Sequence, residues 1–327
     1  MTTVTVAAFG VRPLAMYFAP SVPVEATIVV ATVVGMGVLM RVRAALAGTT
    51  LVAPWWWSTL TFLIVTALEL IVVVAERGTT SGPNAGAAGP VWTSHVSLVA
   101  ASLTFCPLMG LLGAKRPQDR AWQFIVFSLA VVLLLPAAEG ALFRPDSSLT
   151  LHAARRWFLA ILVAITLVTG LPTRRWLATL LLVAGHVVLL GAHLPGMSQA
   201  AATLGMWRSP IGITLFAMAL LAAAHPYPRR RTALAPWDRT WLDFRDSFGT
   251  LWGLRVIERF NDVARRSGWP VRLTWSGFEF EQEVQGELIL QMRAAMASLL
   301  WRFVSDDWLQ RRWPNADANT LATIERA

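Results

Sequence analysis

The sequence has little charge and almost no cysteine, and both shortages limit the classes of protein to which the chain can belong. Charged residues make up 14% of its 327 residues, well below the ~25% of an ordinary soluble domain. The one cysteine, Cys106, excludes an internal disulfide and a cysteine-rich metal site. Hydrophobic residues account for 55% of the chain. This composition is typical of a membrane protein.

Motifs that identify common enzymes are also missing. The sequence has no phosphate-binding loop, G-x-S-x-G, H-E-x-x-H or C-x-x-C motif. The glycine-rich stretch 78–90 has no following Lys-Ser or Lys-Thr pair, so we interpret it as a flexible loop. No motif therefore indicates a reaction or a cofactor. The sequence favours a protein that is not an enzyme, without excluding an enzyme.

Seven apolar runs fill residues 1–225. Each approaches the ~20 residues needed to cross a bilayer, and none shows the two-residue alternation of barrel strands. The sequence predicts a bundle of about seven transmembrane helices. The predicted spans are 22–40, 58–75, 92–114, 121–143, 157–172, 176–195 and 210–225.

Residues 226–327 form the second predicted region, a small amphipathic domain. Asp238 is predicted to cap a helix that runs to about Arg266 and ends before Gly268. A hairpin is predicted around Ser276 and Gly277, and a second helix over 283–312. The predicted fold class is an all-α membrane protein, in which the bundle precedes a mainly helical cytoplasmic domain with a possible β-hairpin.

Basic residues decide the predicted orientation, because cytoplasmic loops carry an excess of Lys and Arg. With seven spans, one side holds the carboxyl-terminal domain together with Arg41, Arg43, Lys115, Arg116, Arg120, Arg174, Arg175, Arg229, Arg230 and Arg231. The other side holds Arg12, Arg77, Arg144, Arg155, Arg156 and Arg208. The larger set predicts an amino terminus outside and a carboxyl terminus in the cytoplasm.

Ionisable residues at membrane depth are the candidate functional residues, because burying them in lipid is costly. Glu69 and Glu76, and likewise His186 and His193, are seven residues apart, so each pair shares a helix face. Glu25, His95, Glu139, Asp146 and His152 fall at the same predicted outer side. The group suits a transition metal, a proton relay or a quinone pocket, and the candidate metal ligands are His186, His193, Glu69 and His95. Alternatively, these residues only pair with one another or meet water at span ends.

The domain's charges indicate partners other than nucleic acid, because positive and negative residues alternate along its predicted helices. Its apolar stripes are rich in aromatics, for example Trp241, Phe244 and Phe248. Two interpretations remain open. The helices pack on each other, or one of them lies against the inner leaflet or a partner protein. The expected partners are the lipid bilayer and a possible protein at this domain.

Three segments carry a resemblance to a group of proteins. They are CPLMGLLGAKRPQDRAWQFIVFSLAVVLLLPAAE (106–139), WLDFRDSFGTLWGLRVIERFN (241–261) and GWPVRLTWSGF (268–278). The chain resembles uncharacterised multi-pass membrane proteins of planctomycete-type bacteria. That resemblance implies a bacterial inner membrane and supplies no site residues.

A non-catalytic scaffold or accessory subunit of an envelope complex fits these observations best. An integral membrane redox or metal-dependent enzyme that uses the outer His/Glu group is the alternative. A transporter is less favoured, because seven spans do not divide into two equal inverted repeats.

Overall fold

The computed structural model describes residues 23–80, 90–144, 147, 149–225, 235–282 and 286–314. Several predicted features fall outside these residues. They are Arg12, most of the glycine-rich stretch 78–90, Asp146, residues 283–285 at the start of the second predicted helix, and Arg229, Arg230 and Arg231.

The amino-terminal part of the described chain is built from α-helices. They are α1 Val24–Arg43, α2 Val52–Thr80, α3 Trp92–Leu103, α4 Cys106–Leu112, α5 Asp119–Phe143, α6 Ala153–Gly170, α7 Trp176–Leu190, α8 Ser198–Leu204 and α9 Arg208–Ala224. Together they make seven candidate spans, the third from α3 and α4 and the seventh from α8 and α9. The prediction of seven helices long and apolar enough to cross a bilayer is therefore confirmed for the described residues.

Small residues let the central helices approach closely. Where α7 meets α9, Gly185 lies against the Phe216 ring and Gly212 lies against Leu189. A Cβ at either glycine would come within 2.5 Å of those side chains. Close approach of this kind is how helices pack when lipid removes the hydrophobic driving force. The other face of α9 packs on α1, which in turn packs on α2.

The carboxyl-terminal domain is a helix, a hairpin and two shorter helices. Its elements are α10 Pro236–Ser267, β1 Val271–Leu273, β2 Phe278–Phe280, α11 Gly286–Leu300 and α12 Asp306–Gln310. The predicted hairpin is confirmed: β1 pairs antiparallel with β2, with Val271 opposite Phe280. The helices bury their aromatic stripes mutually, and the core includes Trp241, Phe244, Phe248, Phe260, Met292, Met296 and Phe303. Of the two interpretations, mutual packing is what the structure shows.

Two predictions about the domain helices are wrong. Asp238 does not cap α10, because it lies in the first turn and its carboxylate accepts the backbone N–H of Phe278 at 2.8 Å. It thereby fixes the hairpin to the helix. α10 also breaks at Gly249, whose φ of 78° and ψ of −175° are not helical, whereas Gly268 ends it in the left-handed conformation as predicted.

The second predicted helix, over 283–312, is also two helices. Between α11 and α12 the backbone turns to pair with the loop after α1: Thr50 N–H donates to Phe303 O (2.8 Å) and Ser305 N–H donates to Gly48 O (2.7 Å). Ser305 then caps α12, since its hydroxyl accepts from Trp308 N–H. The Ser-Asp-Asp sequence at 305–307 is an ordinary helix start signal that the apolar spacing concealed.

The domain contacts the described loops after the first, third and fifth spans, at the end of the bundle that we call the domain end. Besides the contacts to the first of these loops, Arg116 N–H donates to Arg302 O (2.8 Å) in the loop between α4 and α5. In the loop between α6 and α7, Trp275 Nε1 donates to Pro172 O (3.0 Å). The loops after the first, third and fifth spans thus share a side with the domain. We call the opposite end the distal end.

Candidate functional site

A buried polar cluster, the distal network, joins three helices at the distal end of the bundle. It consists of Glu69 on α2, Ser97 on α3, and Arg208 and Ser209 on α9. The Ser209 hydroxyl donates to Glu69 Oε2 (2.5 Å), and Arg208 Nη2 donates to Ser97 Oγ (2.8 Å). Glu69 is only 1% exposed. The Arg208 charge acts on this carboxyl group, so the network joins an acid to a base within the candidate spans.

The start of α9 explains why these groups meet. The seventh span is interrupted after α8 at Gly205, where the backbone takes a positive φ of 48°, and α9 then begins at Arg208. Glu69 thus lies against the first turn of α9, where unpaired N–H groups and the helix dipole favour an anion. Burial of the carboxyl group is the largest influence on Glu69, and the Arg208 guanidinium and the Ser209 hydroxyl oppose it.

His193 and Glu76 lie within the electrostatic reach of this network. The Arg208 charge acts on both, and the Arg156 charge acts on His193. Arg156 itself is held by Nη2 donating to Leu194 O (2.7 Å). The distal end therefore collects two guanidinium groups around a buried imidazole, which is a poor environment for a bound cation.

His186 lies elsewhere in the bundle, packed between two aromatic rings. Its ring centroid is 4.7 Å from that of Phe105, stacked, and 5.2 Å from that of Phe216, edge to face. Nδ1 is 2.9 Å from Leu182 O, so this nitrogen carries the proton. Nε2 is buried and meets no partner with hydrogen-bond geometry, although the Thr104 backbone is close enough to act on it. His193 lies beyond the end of α7, in the short 3₁₀ turn Gly191–His193, and its surroundings differ from those of His186.

His95 lies at the start of α3, beside Gly140 of α5. Its Nδ1 is 3.4 Å from Val91 O on the same helix, and its Nε2 is buried without a partner. A Cβ at Gly140 would come within 2.4 Å of Nε2, so the imidazole fills the space that this glycine leaves. No contact joins His95 to Glu69 or to His186.

The remaining distal residues form ion pairs at the surface. Arg77 Nη1 is 2.7 Å from Glu25 Oε1, which joins α2 to α1. Arg155 Nη1 is 3.1 Å from Glu139 Oε2, which joins α6 to α5. His152 is exposed at the start of α6. The two ion pairs each link neighbouring helices at the distal end.

The structure does not gather the predicted metal ligands into one site. Within the described parts of the chain, no three His, Cys, Asp or Glu side chains are close enough to hold a metal ion. Glu69 and His193 share the neighbour Arg208, while His186 and His95 stand apart. Arg208 and Ser209 were missed because, in the sequence, an arginine at a span start counts only toward orientation. The available signal was Glu69, because an acid deep in an apolar run needs a polar or basic partner beside it.

Comparison of the chain with protein-family models, with curated proteins and with solved structures finds no match. Function therefore has to be argued from this geometry, and the resemblance to planctomycete-type membrane proteins stays a prediction.

Proposed function

We propose that the protein is a multi-pass membrane protein in which the bundle and the carboxyl-terminal domain act as one rigid, non-catalytic scaffold or accessory subunit of a bacterial envelope complex. The observation that carries this proposal is the attachment of the domain to all three domain-end loops. These contacts use backbone groups as well as side chains, and the domain core continues into the bundle through Leu51 and Ala114. A domain held this way presents its outer surface at a fixed height and angle.

The attachment also includes a buried ion pair that faces the bundle. Asp246 Oδ1 accepts from Arg245 Nη2 (2.7 Å) within the domain and from the backbone N–H of Arg174 (3.3 Å) in the loop between α6 and α7. Thr250 Oγ1 donates to Thr169 O (3.0 Å) beside it. A signalling domain that moves relative to its bundle would need to break these hydrogen bonds. They therefore favour a domain that keeps a fixed position on the bundle.

The proposed location is the bacterial inner membrane, with the domain in the cytoplasm. The support is the excess of basic residues at the domain end, including Arg41, Arg43, Arg174 and Arg175. Reporter fusions at residues 147 and 314 test it, because the first should report from outside and the second from the cytoplasm. The reverse pattern would overturn this orientation.

The scaffold proposal is tested by purifying the tagged full chain from its own membranes in mild detergent and measuring the stoichiometry of co-purifying proteins. We expect a partner at a fixed ratio, recovered again when the tag is moved to that partner. Asp246→Ala, which loosens the domain from the bundle, should lower the partner's ratio. The matched control Asp262→Ala, in an exposed ion pair of the same helix, should leave the ratio unchanged.

The scaffold proposal would be overturned if the chain purifies alone, or if Asp246→Ala leaves the ratio of the partner unchanged.

The second candidate is the redox or metal-dependent enzyme, and the observation that favours it is the burial of Glu69 and His186 at membrane depth. Absorbance and elemental analysis of the same sample decide it. A metal or pigment that disappears in His186→Gln would establish the enzyme, whereas a colourless and metal-free sample would remove it.

A further inference from the structure

A group of four basic side chains lies where the domain meets the loop between α4 and α5. This cationic collar consists of Lys115, the only lysine in the sequence, with Arg255 and Arg259 of α10 and Arg302 after α11. The backbone bond from Arg116 N–H to Arg302 O (2.8 Å) brings the two segments together. Lys115 Nζ lies 6.0 Å from the Trp252 ring centroid, which places it against α10.

The collar has an excess of positive charge. Burial and the charges of Arg302, Arg255 and Arg259 all lower the pKa of the Lys115 ammonium, burial most strongly. Among the described residues, Arg255 pairs with Glu258 at 3.8 Å, and both side chains are exposed. Like charges that act on one another repel unless an anion lies between them. The arrangement therefore favours an anionic ligand.

Exposed apolar side chains border the collar. Leu251 is 51% exposed, Leu254 is 55% exposed and Trp301 is 49% exposed. Leu251 lies one helical turn before Arg255 and shares its face of α10, whereas Leu254 lies about 100° around the helix from Arg255. The Arg302 guanidinium lies 5.6 Å from the Trp301 ring centroid. Cations combined with leucine and tryptophan are typical of surfaces that lie at the lipid headgroups.

The position of the collar agrees with that depth. Lys115 follows the end of α4 at Leu112 and precedes the start of α5 at Asp119, so it lies between two candidate spans. Trp252 Nε1 donates to Leu111 O (3.2 Å), which holds α10 at the same height. If the spans cross a bilayer, the collar lies at its surface.

We propose that the cationic collar binds the headgroups of anionic phospholipids in the leaflet at the domain end. The inference rests on the membrane placement in the proposed function and adds a ligand class to it. The phosphate of the lipid lies among the four cations, while Leu251, Leu254 and Trp301 enter the region between headgroups and acyl chains. Lipid binding then holds the domain against the membrane in addition to its contacts with the loops.

The test measures lipid bound to the full-length protein by native mass spectrometry, in detergent micelles that contain equal amounts of phosphatidylglycerol and phosphatidylcholine. We expect phosphatidylglycerol to be preferred by about tenfold or more, since each basic residue near an anionic surface contributes about fivefold. The variant with Lys115, Arg255, Arg259 and Arg302 changed to Gln should lose most of this preference. A charge-matched control changes the exposed Arg239, Arg265, Arg266 and Arg272 to Gln and should keep it.

A wild-type measurement covers the case in which the quadruple variant does not fold. The preference should fall between about 0.1 M and about 1 M salt, because the Debye length shortens from ~10 Å to ~3 Å. Inorganic phosphate at matched ionic strength should not displace the lipid. Displacement would identify a free-phosphate site instead.

The outcomes separate the two proposals. Failure of the wild-type protein to enter neutral phosphatidylcholine vesicles would overturn the membrane placement. Entry into these vesicles without any preference for phosphatidylglycerol would overturn the lipid inference alone. An equal loss in both quadruple variants would also overturn it, because the effect would then follow net charge and not the collar.

Discussion

The two ends of the bundle manage their polar groups in different ways. At the distal end, polar side chains meet one another across helices, as Glu69 does with Ser209 and Arg77 does with Glu25, while His95 Nε2 is buried without a partner. At the domain end, loop backbone groups bond to the domain, and the surface carries an excess of cations. The distal contacts thus stay within the bundle, while the domain-end contacts join the bundle to the domain.

This difference bears on the proposed function. Buried pairs inside a bundle can be retained for packing alone. A domain attached at three loops, beside a group of cations, has contacts that only the assembled protein can make. The comparison therefore favours interaction at the domain end over chemistry at the distal end.

The largest expected effect concerns the ion pair that joins domain and bundle. Asp246→Ala should lower the free energy of unfolding by about 3–5 kcal/mol, because it leaves the Arg245 guanidinium buried without its carboxylate. Chemical denaturation in mild detergent measures this. Asp262→Ala removes an exposed partner of Arg265 and should cost at most about 1 kcal/mol. Equal losses would mean that Asp246 is not buried in the attachment.

A second prediction concerns the break in α10. A Cβ at Gly249 would lie 3.0 Å from Thr169 O and Cγ2, on a backbone with φ of 78°. Gly249→Ala should therefore destabilise the protein by about 2–4 kcal/mol, from strain and contact together. Gly268 also has a positive φ, but it lies in the left-handed helical region and has no neighbours at its Cβ position, so Gly268→Ala should cost about 1 kcal/mol. The difference between the two thermal unfolding curves measures the additional strain and contact at Gly249.

A smaller effect is expected at the distal end. Ser209→Ala removes the hydroxyl that donates to Glu69 and should cost about 0.6–2 kcal/mol, the usual range for polar contacts between membrane helices. Thr203→Ala removes an exposed hydroxyl bond within α8 and serves as the control. A loss at Ser209 above that of Asp246→Ala would reverse the comparison, because the distal network would then be the stronger attachment.

The smallest effect is a pH dependence inside the domain. Burial raises the pKa of Asp238, and the hydrogen bond from Phe278 N–H partly opposes this. A raised pKa means that the folded state holds the proton more tightly, so this contribution is complete below about pH 4 and is lost as pH rises through the folded pKa. Asp238→Asn should therefore lose stability relative to the wild type at low pH and regain it at higher pH. Parallel curves of unfolding temperature against pH would contradict this.

The sequence predicts the seven apolar helices because their signal is local: a run of about twenty apolar residues has few alternatives. The hairpin around Gly277 and the helix end at Gly268 are local signals of the same kind. Each of these depends on residue types close together along the chain.

The attachment of the domain could not be predicted, because its contacts are long-range and many use backbone atoms. Nothing in the identity of Gly48 or Arg302 indicates that their carbonyls accept from Ser305 and Arg116. The same contacts divide the helix expected over 283–312. The distal network could be predicted only in part. Glu69 is an acid deep in an apolar run, but its partners on α9 are distant in the sequence and lie beside it only because the helices pack together.

The most direct test of the rigid attachment is a disulfide across the pairing of Thr49 with Val304, the antiparallel bridge between bundle loop and domain. Residues paired in this way lie within disulfide reach. With Cys106→Ala to remove the native thiol, Thr49→Cys and Val304→Cys should oxidise almost completely in native membranes, as shown by mass spectrometry of the linked peptides. Thr49→Cys with Arg272→Cys is the control and should not link. No linkage of the first pair above this control would show that the domain is not held against the bundle, and the scaffold proposal would lose its foundation.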